Sequence, residues 1–308
     1  MIHYFKLIRW NNLLMIVFVQ YLIKYALLVP FKEKYGVFTA LSNIEFFILV
    51  LSTICIASAG YIINDIYDVE TDKINKPNQL IINKHISEKI GFNLFIALNV
   101  IGVGLGFYLS NSIGKPSFFV LFVVASALLY LYSTALKQIM LVGNIIISFV
   151  VALSVLMVGV FELLPVMNEI NRTAQQTFLD LILDYATFAF LINLVRELIK
   201  DIEDINGDHN AGMKTLPVVI GRVRANNFAF IVSLLPIFAI IYYVITYLFK
   251  QQLVVGYFLV FVLGPLIYSS IKIFNAEQKS DYKHISTVLK IVMITGMLSV
   301  LTYQYILM

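Results

Sequence analysis

The sequence predicts an all-α polytopic membrane protein with nine transmembrane helices. Apolar residues make up 60% of the 308-residue chain and charged residues only 13%, too few to cover a water-soluble fold. Apolar runs of about 17–25 residues, the length that crosses a bilayer, recur along the chain with short connections between them. We expect one membrane domain over residues 1–308, with spans at 11–30, 44–63, 90–110, 116–134, 139–161, 177–198, 225–248, 252–272 and 284–306.

The ends of the second, fourth and sixth spans carry the polar sequences that are most informative about function. The second span contains "FFILVLSTICIASAGYII" and runs directly into the acidic stretch "NDIYDVETD". The fourth ends in "YLYST" before a tight turn that holds a single lysine, and the sixth ends in "RELIKDIEDINGD". The one cysteine, Cys55, lies within the second span, where we expect a small buried side chain and no disulfide.

Basic residues are concentrated on alternate connections, which predicts the orientation in the membrane. An N-terminus in the cytoplasm places the basic N-terminal segment and the connections after spans two, four, six and eight inside. The few outside basic residues are then Lys32, Lys34, Lys115, Arg172 and Lys250. We therefore expect the N-terminus inside and the C-terminus outside. The net charge of +4 reflects this bias and does not indicate a nucleic-acid partner.

Two clusters of aspartates end the second and sixth spans on the same predicted side. In both, the aspartates are spaced by three and then four residues, which places each cluster along one stripe of a helix. The first cluster comprises Asp65, Asp68 and Asp72, and the second comprises Asp201, Asp204 and Asp208.

A charge run at a helix end is often only a solvated cap, but two clusters with matched spacing favour a shared site. Facing carboxylates repel one another unless a hard cation neutralises them, and Mg²⁺ prefers one or two carboxylates together with substrate phosphate oxygens. Asn64, just before the first cluster, adds an amide oxygen. The two clusters therefore predict a magnesium site for an anionic ligand such as a diphosphate.

Basic residues near the clusters are candidates for binding that diphosphate. Lys137 is the only charge in the turn after the fourth span, Arg196 and Lys200 lie in the last turns of the sixth, and Lys214 follows in "NAGMKTLP". Cations held around a departing diphosphate stabilise the charge that develops as its bond breaks. Lys137 could also be a simple marker of the positive-inside topology.

These motifs resemble the UbiA superfamily of intramembrane prenyltransferases. The resemblance rests on "NDIYDVETDKINKP", "YSTALKQIMLVGN", "RELIKDIEDINGDHNAGMKTLPVVIG" and the start "RWNNLL", and it covers most of the chain. It implies a helical bundle around a central cavity open sideways to lipid, with Mg²⁺ held by the aspartate motifs. "DKINKPN" and "RELIKDIEDINGD" are most similar to the digeranylgeranylglyceryl phosphate synthase branch.

The resemblance assigns roles by position. It implies a metal and diphosphate site at Asn64, Asp68, Asp72, Asp204 and Asp208, with Asp65 and Asp201 as further carboxylates. Lys137 matches a diphosphate-binding lysine, Tyr132 lines the same turn, and Asp68, Asp204 and Lys137 are the expected catalytic residues. One departure follows "NKPN", where relatives carry Arg-Pro but this chain has Gln79 and Leu80. Lys76 or Lys84 could replace that arginine.

The expected reaction transfers a polyprenyl group from an isoprenoid diphosphate to a membrane-associated acceptor. The subfamily resemblance favours a geranylgeranyl donor and a glycerophosphate lipid, with an aromatic quinone precursor as the alternative acceptor. No residue identifies itself as the base. A divalent-cation transporter and a catalytically silent scaffold remain alternatives from other classes. We expect the protein in the inner membrane of a prokaryotic cell, with its active site toward the cytoplasm.

Overall fold

The computed structural model describes residues 2–307, and over these residues the chain is helical, with no β-strand. Within the same residues nine helices are long and apolar enough to cross a membrane, which confirms the predicted fold class. They are α1 (Trp10–Tyr35), α2 (Asn43–Tyr67), α3 (Glu88–Ser112), α4 (Pro116–Thr134), α5 (Val142–Val166), α6 (Arg172–Asn210), α7 (Arg222–Leu248), α8 (Gln252–Phe274) and α9 (Lys279–Ile306).

The sixth helix is much longer than its apolar run. We predicted a span at 177–198, whereas α6 contains 39 residues. At 1.5 Å per residue it is about 58 Å long, roughly twice the thickness of a hydrocarbon core. Its acidic C-terminal turns therefore continue the helix beyond the apolar span and carry the second aspartate cluster as one rigid element.

The first aspartate cluster does not lie on one continuous helix, so that expectation was wrong. Helix α2 ends at Tyr67, Asp68 has φ −93° and ψ 2°, and a separate short helix follows at Val69–Asn75. The backbone N–H of Asp72 still donates to the Asp68 carbonyl at 2.7 Å, so the chain bends without losing its hydrogen bonds. The bend changes the direction of the chain between Asp65 and Asp72.

Two apolar cores share the long helix α6. Phe46 and Phe161 are fully buried in a core built by α1, α2, α5 and the first half of α6. Ile199 and Ile285 are fully buried in a second core built by the second half of α6 with α7, α8 and α9. Because it belongs to both cores, α6 positions the second aspartate cluster relative to the rest of the bundle.

Helices α2 and α3 approach each other closely. The Ser52 hydroxyl donates to the Gly102 carbonyl at 2.6 Å, and a Cβ at position 102 would lie 2.8 Å from the Ile56 side chain. Cys55 is a buried free thiol in this contact, as expected. The absence of a side chain at position 102 thus allows the two helices to pack at short range.

A buried ion pair closes the bundle at the end far from the aspartates. The Lys24 ammonium lies 2.8 Å from Glu162 Oε1 and donates to the Leu41 carbonyl at 2.8 Å, and both charged side chains are almost fully buried. Glu162 Oε2 accepts from the Leu41 N–H at 3.1 Å. These contacts join α1, α5 and the connection between α1 and α2.

A cavity of about 260 Å³ lies between the helices, and every span except α3 contributes described residues to its wall. Most of the wall is apolar. One end is bordered by Arg9, Asn64 and Lys200, and the other by Tyr185 and Tyr243. Eight of the nine helices therefore line a central cavity, one end of which is charged.

Candidate active site

The two aspartate clusters meet at the charged end of the cavity. Asn75, the last residue of the short helix after α2, lies against the C-terminal turns of α6. Its side-chain amide donates to the Asp204 carbonyl at 2.9 Å, and its side-chain oxygen accepts from the Gly207 N–H at 3.0 Å. Its own carbonyl accepts from the Lys279 ammonium at 2.9 Å, which adds the start of α9.

Lys137 reaches the first cluster from the turn that follows α4. Its ammonium lies 2.5 Å from Asp68 Oδ1 and is 3.5 Å from Asn64 Oδ1. The Asn64 amide in turn donates to Asp68 Oδ2 at 2.6 Å. The Lys137 side chain is only 8% exposed, so its charge is directed into the site. A Cβ at position 143 would lie 2.7 Å from the Lys137 Cα, and the glycine there lets the turn pack against α5.

Arg9 holds the other aspartate near the end of α2. Its guanidinium is 2.8 Å from Asp65 Oδ1, and it lies over the Tyr61 ring at 5.1 Å from the ring centre. From the sequence alone, Arg9 is one of the basic residues of the N-terminal segment that predict the membrane topology. Its position at the start of "RWNNLL" was the one signal in the sequence that could have placed it here.

The three aspartates of the second cluster have different partners. Asp201 accepts from the Asn144 amide at 2.8 Å, and Asp208 accepts from the Thr215 hydroxyl at 3.2 Å. Asp204 Oδ2 pairs with the Lys76 ammonium at 2.7 Å, while its Oδ1 is buried and has no hydrogen-bond partner among the described residues. Asp204 therefore has one oxygen free for a further ligand.

Lys76 bridges the two clusters. Besides its contact with Asp204, its ammonium lies 3.9 Å from Asp72 Oδ1. Burial raises the pKa of Asp72, and the nearby charges of Asp68 and Asp65 add to this effect. Burial opposes the charge on Lys76, but Asp204 and Asp72 outweigh it and raise the pKa of the ammonium. Of the two lysines considered for this loop, Lys76 contacts the acids and Lys84 is exposed.

The remaining predicted site residues lie at different depths. Tyr132, Arg196 and Lys200 line the cavity, while the Lys214 side chain is exposed. The backbone of Lys214 contacts this region, where its N–H donates to the Gln138 carbonyl at 2.9 Å.

Over residues 2–307 no three acidic, histidine or cysteine side chains are close enough to hold one metal ion together. Instead, Arg9, Lys76 and Lys137 each neutralise an aspartate of the two clusters. The residues nevertheless suit a hard divalent cation. Their donors are carboxylate and amide oxygens, Asp204 Oδ1 has no partner, and the Lys76 charge marks a position where both clusters favour a cation.

One cavity residue was missed entirely by sequence reasoning. Lys290 lies inside the apolar run "STVLKIVMITGML" of α9 and lines the cavity. A lone charge within a transmembrane run is itself a signal of function, and it was available in the sequence.

A nine-helix bundle with an acidic and basic chamber opening into an apolar cavity defines an integral membrane protein that handles an anionic, lipid-tailed molecule. The model of the UbiA prenyltransferase family matches residues 34–294. The chain therefore belongs to the UbiA prenyltransferase family and is a prenyltransferase. The resemblance drawn from the motifs is confirmed. The two aspartate clusters are explained by the prenyltransferase family, and the alternative of a divalent-cation transporter is not needed to account for them.

Similar proteins carry one recurring name. Digeranylgeranylglyceryl phosphate synthase of Methanosphaera stadtmanae is 28% identical over 258 residues, which cover 82% of this chain and 86% of the relative. The enzyme of the same name from Thermococcus kodakarensis is 30% identical over 247 residues, which cover 79% of this chain and 80% of the relative. The similarity to this branch, expected from "DKINKPN" and the second motif, is thus confirmed.

Solved structures share the fold. A UbiA homologue from Archaeoglobus fulgidus bound to GPP and Mg²⁺ aligns with a TM-score of 0.56 and 16% identity, over 97% of this chain and 99% of that one. A structure of digeranylgeranylglyceryl phosphate synthase aligns with a TM-score of 0.61 and 21% identity, over 97% of this chain and 98% of that one.

Proposed function

We propose that this prenyltransferase moves a geranylgeranyl group from its diphosphate to geranylgeranylglyceryl phosphate. The shared name of the relatives describes a product with two prenyl groups on glyceryl phosphate. One glyceryl oxygen carries the phosphate and one carries the first prenyl group, so the remaining hydroxyl is the acceptor. The observation that carries the proposal is the chamber of Lys137, Asp68 and Asp204 at the mouth of an apolar cavity.

The donor matches both parts of this site. Its prenyl tail gains roughly 0.8 kcal/mol per methylene when it is buried among the apolar helices. Its diphosphate would accept hydrogen bonds from Lys137, which the Asp68 and Asn64 contacts hold at the mouth of the cavity. The apolar cavity wall keeps water away from the allylic carbon after its bond to the diphosphate breaks.

Mg²⁺ is the cofactor we propose for this site. When bound, it would neutralise negative charge on the leaving diphosphate. The candidate ligands are the side-chain oxygens of Asn64, Asp65, Asp68, Asp72, Asp201, Asp204 and Asp208. Since Arg9, Lys76 and Lys137 occupy several of these oxygens, they must move or share their partners when donor and metal bind.

The new bond is an ether between the glyceryl oxygen and the prenyl carbon, and the hydroxyl proton is lost as it forms. We also propose that the chamber faces the cytoplasm, with the N-terminus on the same side. The support is the concentration of basic residues on that end of the bundle. Lys6, Lys73, Lys89, Lys279 and Lys283 are examples.

Purified protein supplied with radiolabelled geranylgeranyl diphosphate and Mg²⁺ tests the proposal. The acceptors to compare are geranylgeranylglyceryl phosphate and an aromatic quinone precursor. We expect a doubly prenylated glyceryl phosphate that requires Mg²⁺. Transfer to the aromatic compound alone would assign the chain to the other acceptor class. Ion flux in vesicles without any transfer would contradict the enzyme assignment.

A further inference from the structure

Lys290 is a charged residue without a charged partner in the middle of the membrane bundle. It lies eleven residues into α9 from Lys279, about 16 Å along the helix axis. It lines the central cavity and makes no ion pair or side-chain hydrogen bond within residues 2–307. The charged groups that act on it are Arg196, Arg9 and Glu197. An ionisable residue at such a depth is costly and marks a functional position.

The neighbouring helix α6 supplies a second unsatisfied donor to the cavity wall. Arg196 Nε is buried and has no hydrogen-bond partner in the described part of the chain, although another guanidinium nitrogen contacts Glu197 at 2.9 Å. Lys200, one turn further along α6, also lines the cavity and has no ion pair among the described residues. Glu197 neutralises only one of these three cations, so this part of the cavity has an excess of two positive charges.

Most of this basic wall lies deeper in the cavity than the aspartate chamber. Arg196, Lys200 and Asp204 follow one another at intervals of four residues on one face of α6, each interval rising about 6 Å. Arg196 thus lies about 12 Å deeper than Asp204 along the helix. A diphosphate held by Lys137 and the aspartates leaves the basic wall available for another anion.

We propose that Lys290 and Arg196 bind the phosphate monoester of the acceptor, with Lys200 at the edge nearest the aspartates. This inference rests on the proposed function. A phosphate monoester carries a charge of about −1.5 to −2 at neutral pH, which balances the excess positive charge of the wall. A guanidinium presents paired donors that fit phosphate oxygens, and an ammonium adds a point charge. Binding there would place the acceptor phosphate below the donor diphosphate, with the glyceryl hydroxyl between them.

The test compares Lys290→Gln with Lys290→Arg on two acceptors. One is geranylgeranylglyceryl phosphate and the other is geranylgeranylglycerol, which lacks the phosphate. We expect Lys290→Gln to raise the KM for the phosphate acceptor by about 10- to 100-fold, since a hydrogen bond to a charged group is lost. The KM for the donor and the activity on the alcohol should stay unchanged. Lys290→Arg should retain most of the wild-type preference for the phosphate acceptor over the alcohol. Lys283→Gln, an exposed change on the same helix, is the matched control.

A binding measurement separates this inference from the proposed function. Without donor and Mg²⁺, geranylgeranylglyceryl phosphate should raise the thermal stability of the wild type and of Lys283→Gln, but not of Lys290→Gln. Equal stabilisation of all three proteins, or of none, would overturn the phosphate site. A wild type that transfers prenyl groups to no glyceryl acceptor would instead contradict the proposed function.

Two further outcomes would also overturn it. One is a rise in the donor KM of Lys290→Gln with both acceptors, which would assign Lys290 to the diphosphate. The other is a defect seen only in vesicles that contain anionic phospholipid, which would identify a phosphodiester lipid headgroup as the ligand.

Discussion

Asn75 and Gly207 hold the two aspartate clusters together. The side-chain oxygen of Asn75 accepts from the Gly207 N–H at 3.0 Å, and its amide donates to the Asp204 carbonyl at 2.9 Å. A Cβ at position 207 would lie 2.3 Å from the Asn75 amide nitrogen. The site therefore depends on a glycine whose absent side chain makes room for the asparagine.

We expect Gly207→Ala to lower kcat/KM by about 10- to 100-fold, the size of loss that a small displacement of reacting groups produces. The new methyl group must push the Asn75 side chain away, which breaks both of its hydrogen bonds to α6. Stability should fall much less than activity, because the preference of about 0.5–1 kcal/mol for alanine over glycine within a helix offsets part of the cost of the two lost hydrogen bonds. Steady-state kinetics and thermal unfolding check this. Gly104→Ala is the control, since a Cβ there meets nothing within 4 Å.

Asp68→Asn and Asp204→Asn should each reduce turnover by at least about 100-fold. Each change removes a negative charge from the proposed magnesium site while keeping the shape of the side chain. The measurement is the initial rate against Mg²⁺ concentration. Glu70→Gln, which changes an exposed carboxylate paired with Lys73, should stay close to wild type. Normal rates in both aspartate variants would refute the site.

Lys76→Gln should lower the melting temperature of the metal-free protein. It should also enlarge the rise in melting temperature that added Mg²⁺ produces. The ammonium stands between Asp72 and Asp204, so its removal leaves these carboxylates without that counter-charge. Because the pair is partly exposed, the effect is about 1 kcal/mol or less, roughly 2 °C. Thermal shift with and without Mg²⁺ measures it. Lys84→Gln, exposed in the same loop, should change neither value.

Lys24→Met should destabilise the bundle by about 3–5 kcal/mol, because it leaves the Glu162 charge buried and unpaired. The double variant Lys24→Met with Glu162→Leu should recover much of this loss, since no buried charge then remains. Denaturation in detergent compares the two. Lys32→Met, exposed near the end of the same helix, serves as control. A double variant as unstable as the single one would show that the cost comes from packing and not from charge.

The spans and the aspartate motifs could be predicted because both are local properties of the chain. Length and apolar composition decide whether a segment crosses a bilayer, and the spacing of aspartates is read directly from the sequence. The bend at Asp68 could not be predicted in this way. The Asp68 side chain there contacts Lys137 and Asn64, and Lys137 lies far along the chain.

The sequence by itself therefore determined the membrane class, the number of spans and the residue types of the site. Only the tertiary structure decided which cation meets which carboxylate. Arg9 comes from the N-terminal segment and Lys76 and Lys137 from two different connections, and nothing local ranks them as partners. The tertiary structure alone likewise decided how deep in the bundle Lys290 and Arg196 lie. Their common cavity exists only because α6 and α9 pack together, since electrostatic attraction depends on distance in space and not on separation along the chain.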